Sequence, residues 1–97
     1  DFGKEDTCRV YIANIGEKGA KKAAALAYAL RTKGIAAETD VSSRSLKAQM
    51  KYADKIGAEY TLVLGDNEVE SGKAVLKRMS DGEKRETELD ALVEELK

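Results

Sequence analysis

The sequence contains no histidine, proline or tryptophan, and it has one cysteine and one phenylalanine among 97 residues. Without histidine, imidazole is excluded as a base, an acid or a metal ligand. The single Cys8 can form neither an internal disulfide nor a thiolate zinc site, and a lone thiol is typical of cytosolic proteins. The longest apolar stretches, such as residues 23–30, are far shorter than the roughly 20 residues of a membrane span. These absences favour a cytoplasmic protein with no membrane segment.

What is present fits one globular domain, because 42% of the residues are apolar and 36% are charged. The net charge is −1, but residues 1–55 carry 11 basic and 7 acidic side chains, whereas residues 56–97 carry 6 and 11. A polyanionic partner would therefore meet a local basic patch rather than a uniformly basic surface. Because the chain begins with Asp1, we expect a piece of a longer protein. Residues 1–7 are predicted to be a disordered junction, and residues 8–97 to form the domain.

The first two thirds of the chain alternate between strand and helix patterns. Residues 8–13 and 35–41 are predicted to be strands, and residues 60–64 are apolar throughout, as in a central strand. Alanines at helical spacing fill the segment between the first two strands. A second helix begins among serines that can cap it, buries a stripe of apolar side chains and ends at Gly57. That stripe consists of Leu46, Met50 and Ala53.

The last third predicts a turn, a hairpin and a final helix. Residues 65–72 are interpreted as a tight polar turn. Asp81 and Gly82, between two short strand patterns, are typical of a hairpin. Thr87, three residues before Asp90, resembles a capping box for the final amphipathic helix. The predicted order is β-α-β-α-β-β-β-α, an α/β fold with a mixed five-stranded sheet and three helices.

Ligands of open α/β sheets lie beyond the carboxyl ends of the parallel strands. Three polar loops are predicted to meet there, at residues 14–18, 40–45 and 65–68. The second loop leads into a row of four cations on one side of the second helix. This row consists of Arg44, Lys47, Lys51 and Lys55. Two interpretations remain open, namely a solvated helix face with ordinary turns and caps, or a surface that binds a polyanion.

Other motifs are weaker. Asp66, Glu68 and Glu70 alternate as in a calcium loop, but Lys77 stands where the loop needs its bidentate glutamate, so no metal site is expected. Tyr28 and Tyr60 are predicted to be core residues, like Cys8, and Tyr52 is the better candidate for stacking on a base. No nucleophile lies beside a base, and no pair of carboxylates suggests catalysis. The pattern favours a binding module, and single-stranded RNA loops suit such a surface.

Three segments resemble a known family: VYIA at residues 10–13, DVSSRSLKAQMKYADKIGA at residues 40–58, and LGDNEVESG at residues 64–72. Together they resemble the C-terminal anticodon-binding domain of histidyl-tRNA synthetase, a domain shared by the class IIa synthetases for threonine, proline and glycine. The resemblance extends over residues 8–97. It implies the class IIa anticodon-binding fold, which agrees with the element order predicted above.

The resemblance also implies a function. The longer protein would be a homodimeric histidine–tRNA ligase whose upstream catalytic domain uses ATP and Mg²⁺. This domain would carry no catalytic site and no cofactor, and it would bind the anticodon stem-loop of tRNA(His) rather than DNA or a membrane. By the family pattern, Ser43, Arg44 and Glu68 contact anticodon bases. Lys47, Lys51 and Lys77 contact phosphates or bases.

Two alternatives stay open at this point. The same domain occurs in a non-synthetase paralogue that regulates histidine biosynthesis, and it occurs in the synthetases for threonine, proline and glycine. The first would share the fold without a need to bind tRNA, and the second would bind a different anticodon. Titration with anticodon stem-loops of the four identities separates them.

Overall fold

A computed structural model describes residues 8–39 and 45–96, apart from the side chains of residues 95 and 96. The predicted junction at residues 1–7 lies outside the described residues. The strands are β1 (Val10–Asn14), β2 (Ala37–Thr39), β3 (Tyr60–Leu64), β4 (Lys73–Arg78) and β5 (Lys84–Glu88). The helices are α1 (Gly16–Thr32), α2 (Leu46–Lys55), α3 (Asp66–Ser71) and α4 (Leu92–Leu96), with a 3₁₀ turn at Leu89–Ala91 before α4.

The five strands form one mixed sheet in the order β2-β1-β3-β4-β5. β1 pairs in parallel with β2 and β3, whereas β4 is antiparallel to β3 and to β5. This confirms the predicted five-stranded mixed sheet. The chain leaves β1 toward β2 and then crosses to the other side of β1 to form β3. The topological switch point, where ligands of such sheets bind, therefore lies at the carboxyl ends of β1 and β3.

The two faces of the sheet carry separate apolar cores. The larger core packs α1 and the C-terminal residues against inward-facing side chains of β1, β3 and β4. The smaller core packs α2 against Tyr11 and Ala13 of β1, with Cys8 and Ala53 also buried. Within the predicted stripe of α2, Ala53 is fully buried, while Leu46 and Met50 are half-buried. The smaller core does not extend to β5, and this leaves part of the α2 side of the sheet open.

The segment at residues 65–72 is a short helix, α3, rather than the predicted turn. Its backbone begins after Gly65, whose N–H donates to Glu68 Oε1 over 2.9 Å, and it ends at Gly72 in the left-handed conformation. α3 packs against the start of α1. Gly19 of α1 lies against the end of β3, where a Cβ would clash with the Leu64 carbonyl oxygen.

Three further expectations need correction. Tyr28 is not a core residue, because it lies on the outer face of α1 with 70% of its surface exposed. Helix α1 begins at Gly16, so most of the predicted loop at residues 14–18 is helical. Thr87 does not cap the last helix, because it is buried within β5, and the 3₁₀ turn begins after Glu88 without a side-chain cap.

Candidate nucleic-acid interface

The exposed side of α2 carries a row of lysines that form no ion pair with any described residue. Lys47, Lys51 and Lys55 are all exposed, and none has a carboxylate within 4.0 Å among the described residues. Elsewhere the basic side chains are more often paired, as in the contacts Arg9–Glu59 at 3.0 Å and Lys18–Glu70 at 3.3 Å. The row therefore presents a positive field to solvent. Arg44, predicted to begin it, lies outside the described residues, as does Ser43.

Helix α2 is fixed to the carboxyl end of β1 by a buried glutamine. Gln49 is fully buried; its Nε2 donates to the Asn14 carbonyl over 2.9 Å, and its Oε1 accepts from the Asn14 N–H over 2.8 Å. The side-chain amide thus pairs with a strand backbone as another strand would. This contact determines how the lysine row sits relative to the sheet edge.

The same edge holds the end of β2. Asn14 Nδ2 donates to Thr39 Oγ1 over 3.0 Å, and that hydroxyl donates to the Ile12 carbonyl over 2.7 Å. Thr39 is the last described residue before residues 40–44, and Ser45, the first after them, caps α2 by accepting from the Ala48 N–H over 3.2 Å. Thr39 and Ser45 therefore both lie at the carboxyl edge of the sheet.

Glu68 also lies at this edge, after β3, but its carboxylate has a local task. Its Oε1 closes the capping box of α3 on the Gly65 N–H. The side chain is only half-buried. Among the described residues, its carboxylate accepts a hydrogen bond from the Gly65 N–H alone. The structure therefore gives Glu68 a structural role that the sequence interpretation did not foresee, beside the predicted role in base contact.

Lys77 lies on β4, opposite Thr61 of β3, and lines an open groove of about 340 Å³. The groove runs between α2 and the open part of the sheet. Its lining consists of Met50, Thr61, Val63, Val75, Lys77 and Lys84. Lys47 lies one helical turn before Met50, on the side of α2 that borders the groove. Lys77 therefore lies in the groove, whereas Lys47 and Lys51 are exposed on the neighbouring helix and do not line it.

The sequence patterns did not identify Lys84 as a groove residue or Gln49 as a buried residue. The predicted hairpin does not reveal Lys84, because a turn centred between Asp81 and Gly82 pairs Lys77 with Glu86. The observed register is centred between Ser80 and Asp81 and pairs Lys77 with Lys84. Gln49 occupies the position three after Leu46 and four before Ala53, so its place in the buried stripe was visible in the spacing.

Cys8 is buried, and this burial, with a smaller contribution from the nearby Glu38 carboxylate, raises the pKa of its thiol to about 11. A thiol with so high a pKa is a poor nucleophile at neutral pH. Among residues 8–39 and 45–96 no group of three acidic or thiol side chains could hold a metal ion. In the same part of the chain, no helix has the length and apolar character needed to cross a bilayer. Within the described residues, the features of this site are the exposed lysines and the open groove.

Comparison with known proteins gives a consistent result. The family model described as "Anticodon binding domain" matches residues 9–97. Histidine–tRNA ligase of Acetivibrio thermocellus is 54% identical over 88 residues, which are 91% of this chain and 21% of that protein. Histidine–tRNA ligase of Clostridium perfringens strain SM101 is 54% identical over 83 residues, or 86% of this chain and 20% of that protein.

A solved structure gives the same result for the fold. The apo histidyl-tRNA synthetase of S. aureus superposes with a TM-score of 0.91 and 40% sequence identity, covering 99% of this chain and 25% of that one. The chain therefore spans about a fifth to a quarter of the length of the proteins it matches.

Proposed function

Because the chain belongs to the anticodon binding domain family, we propose that it binds the anticodon stem-loop of tRNA(His) as part of a histidine–tRNA ligase. The relatives at 54% identity are named as histidine–tRNA ligases, which favours the histidine identity over the threonine, proline and glycine enzymes. Their names also favour a ligase over a regulatory paralogue. The proposal for this chain is limited to recognition of the RNA.

The observation that carries the proposal is the lysine row beside the open groove. Lys47 and Lys51 have no carboxylate within 4.0 Å among the described residues, and Lys77 lines the groove that α2 borders. An RNA hairpin loop offers phosphates to such cations, and its unstacked bases can enter a groove between a helix and a sheet.

The residue roles follow the family resemblance and the positions of the side chains. We assign Ser43, Arg44 and Glu68 to anticodon bases on the family resemblance; of these, Glu68 lies in the described part of the chain, after β3 at the carboxyl edge. Lys47 and Lys51 would contact phosphates, since they are exposed on α2. Glu68 would contact a base through the carboxylate oxygen that does not cap α3.

For the longer protein, we propose ATP-dependent histidylation of tRNA(His) by a homodimer in the cytoplasm. ATP and Mg²⁺ would be bound by the part of the protein that precedes this domain. The proposed contribution of this chain is to hold the correct tRNA.

The test compares two substitutions on two RNAs. Fluorescence anisotropy with the 97-residue chain measures affinity for the tRNA(His) anticodon stem-loop and for a hairpin with a scrambled loop. Arg44→Ala should weaken binding to the cognate loop more than to the scrambled loop, by up to about 1–3 kcal/mol, on the scale of a base-edge contact. Lys51→Ala should weaken both equally and flatten the salt dependence by about 0.7 in slope, because it removes a phosphate contact.

Three outcomes would contradict parts of the proposal. Equal losses for both variants on both RNAs would make Arg44 a phosphate contact. Tighter binding to a threonine, proline or glycine stem-loop would reassign the synthetase. No binding to any of the four stem-loops at low salt would overturn the RNA-binding function and favour the paralogue.

A further inference from the structure

We propose that the groove between α2 and the β4–β5 hairpin binds one nucleotide of a single-stranded RNA loop, with its phosphate held jointly by Lys77 and Lys84. This inference rests on the proposed function and extends it to Lys84, to which neither the family pattern nor the sequence assigned a role. The base of that nucleotide would lie against the apolar floor of the groove.

The two lysines face each other directly across the hairpin. Lys77 and Lys84 are register partners in the antiparallel pair of β4 and β5, so their Cβ atoms lie about 4.5–5.5 Å apart on the same face of the sheet. Like charges directly opposite each other destabilise a hairpin. Neither lysine has a carboxylate within 4.0 Å among the described residues. An anion bound between the two ammonium groups would remove this repulsion.

The neighbouring charges do not supply that anion. Arg78, the next residue on β4, points to the other face and pairs with Asp81 at 3.4 Å and with Glu83 at 3.8 Å. Glu86 shares the face of Lys84 but is the register partner of Val75. Among the described residues, none of these carboxylates forms an ion pair with Lys77 or Lys84.

The floor beside the lysines is apolar and partly uncovered. Val75 is 47% exposed although it lies in the middle of β4, and Val63 and Met50 are half-buried beside it. An aliphatic floor next to two cations suits a nucleotide, whose base is flat and apolar on its faces and whose phosphate is anionic. It suits a free inorganic anion less well, because such an ion would leave Val75 exposed.

The first experiment removes one charge at a time and measures affinity for the anticodon stem-loop. Lys84→Ala should weaken binding by about tenfold, the size of one charge-assisted hydrogen bond. Lys33→Ala is the matched control, because Lys33 is an exposed lysine at the end of α1, on the opposite side of the sheet. Lys33→Ala should change the affinity by less than twofold.

A second variant separates binding from folding. Lys84→Glu should abolish the anion site, yet the midpoint of urea unfolding should not fall, because the new carboxylate faces Lys77 and relieves the repulsion. Replacing single loop phosphates by uncharged methylphosphonates should identify one linkage that matters. Its replacement should weaken binding to the unsubstituted chain but have little effect on Lys84→Ala.

The outcomes distinguish this inference from the function on which it rests. If the unsubstituted chain binds the cognate stem-loop but Lys84→Ala and Lys33→Ala bind equally well, the nucleotide site is wrong and the RNA-binding function stands. If Lys84→Ala remains as sensitive to every methylphosphonate as the unsubstituted chain, the shared phosphate is also wrong. If the unsubstituted chain binds no stem-loop, both proposals are overturned.

Discussion

At the scale of single residues, Gln49 shows how a polar side chain can be a core residue. Its amide replaces the hydrogen-bonding edge of a strand for Asn14, on both the N–H and the carbonyl side. Because these groups are buried, a substitution that removes the amide removes both of these hydrogen bonds, and each bond lost at a buried group costs about 1–3 kcal/mol.

Gln49→Met should therefore lower the free energy of unfolding by at least about 2 kcal/mol, although methionine has a similar volume. Urea denaturation followed by circular dichroism measures this change. Lys51→Met is the matched control on the exposed side of the same helix and should stay within about 0.5 kcal/mol. Equal stability of the two variants would mean that the buried amide contributes nothing beyond its volume.

Cys8 predicts a pH dependence at the residue scale. Burial raises the pKa of its thiol from 9.0 to about 11, so between these values the unfolded chain loses a proton that the folded chain keeps. The free energy of unfolding should fall as pH rises from 9 to 11, by up to roughly 2 kcal/mol. Urea titrations at several pH values measure this slope.

Tyrosine and lysine side chains also titrate in that range, so the control is the difference from Cys8→Ala. The variant should lose part of the alkaline slope while the remainder persists. Independently, a thiol reagent at pH 8 should react slowly with the folded chain and rapidly in urea. Rapid reaction of the folded chain would contradict the burial of the thiol.

At the scale of elements, the sequence predicts the sheet better than the short helices. The strand at residues 60–64 was predictable because it is an apolar run. The hairpin was predictable because the Asp81–Gly82 turn is a local signal. The helix α3 was not, because a six-residue helix has too few positions to show a period. Its signal was in the caps instead, with Glu68 three residues after Gly65 and Gly72 at the end.

The prediction that Tyr28 is a core residue was wrong for a different reason. Its helix has an alanine-rich surface on nearly every side, so the apolar pattern did not mark which side meets the sheet. The buried positions, including Ala23, Ala27 and Leu30, follow helical spacing, and Tyr28 lies outside that stripe. The charged row of α2 was predictable, since its spacing of four is a local pattern, whereas its relation to Lys77 depends on strand pairing across the sheet.

The two roles of Glu68 can be separated by its neutral analogue. Glu68→Gln keeps an oxygen for the Gly65 N–H and should leave thermal stability nearly unchanged, while it alters affinity for the cognate stem-loop. Glu68→Ala removes the cap and should lower the free energy of unfolding by about 1 kcal/mol. Thermal unfolding and anisotropy on both variants test this. If Glu68→Gln leaves RNA binding unaltered, the residue acts only as a cap.

At the scale of the whole molecule, the two faces of the sheet have different tasks. On one face, α1 and the C-terminal residues form the larger core against β1, β3 and β4. On the other face, α2 covers β1, and the surface toward β5 remains open beside Lys77 and Lys84. The net charge of −1 hides this division, since among the described residues Lys47, Lys51, Lys77 and Lys84 form no ion pair and lie on the open side.

This arrangement predicts a salt dependence that the net charge alone does not. If Lys47 and Lys51 each contact one phosphate and the Lys77–Lys84 pair shares a third, the logarithm of the affinity should fall with the logarithm of salt concentration with a slope of about −2, at roughly 0.7 per contact. Anisotropy titrations between 50 and 300 mM KCl would measure it. Lys47→Ala should reduce the slope by about 0.7, while Lys33→Ala should leave it unchanged. A slope near zero would show that binding depends on base contacts alone, and an equal effect of Lys33→Ala would show that the RNA senses only the overall charge of the protein rather than the lysines of the open face.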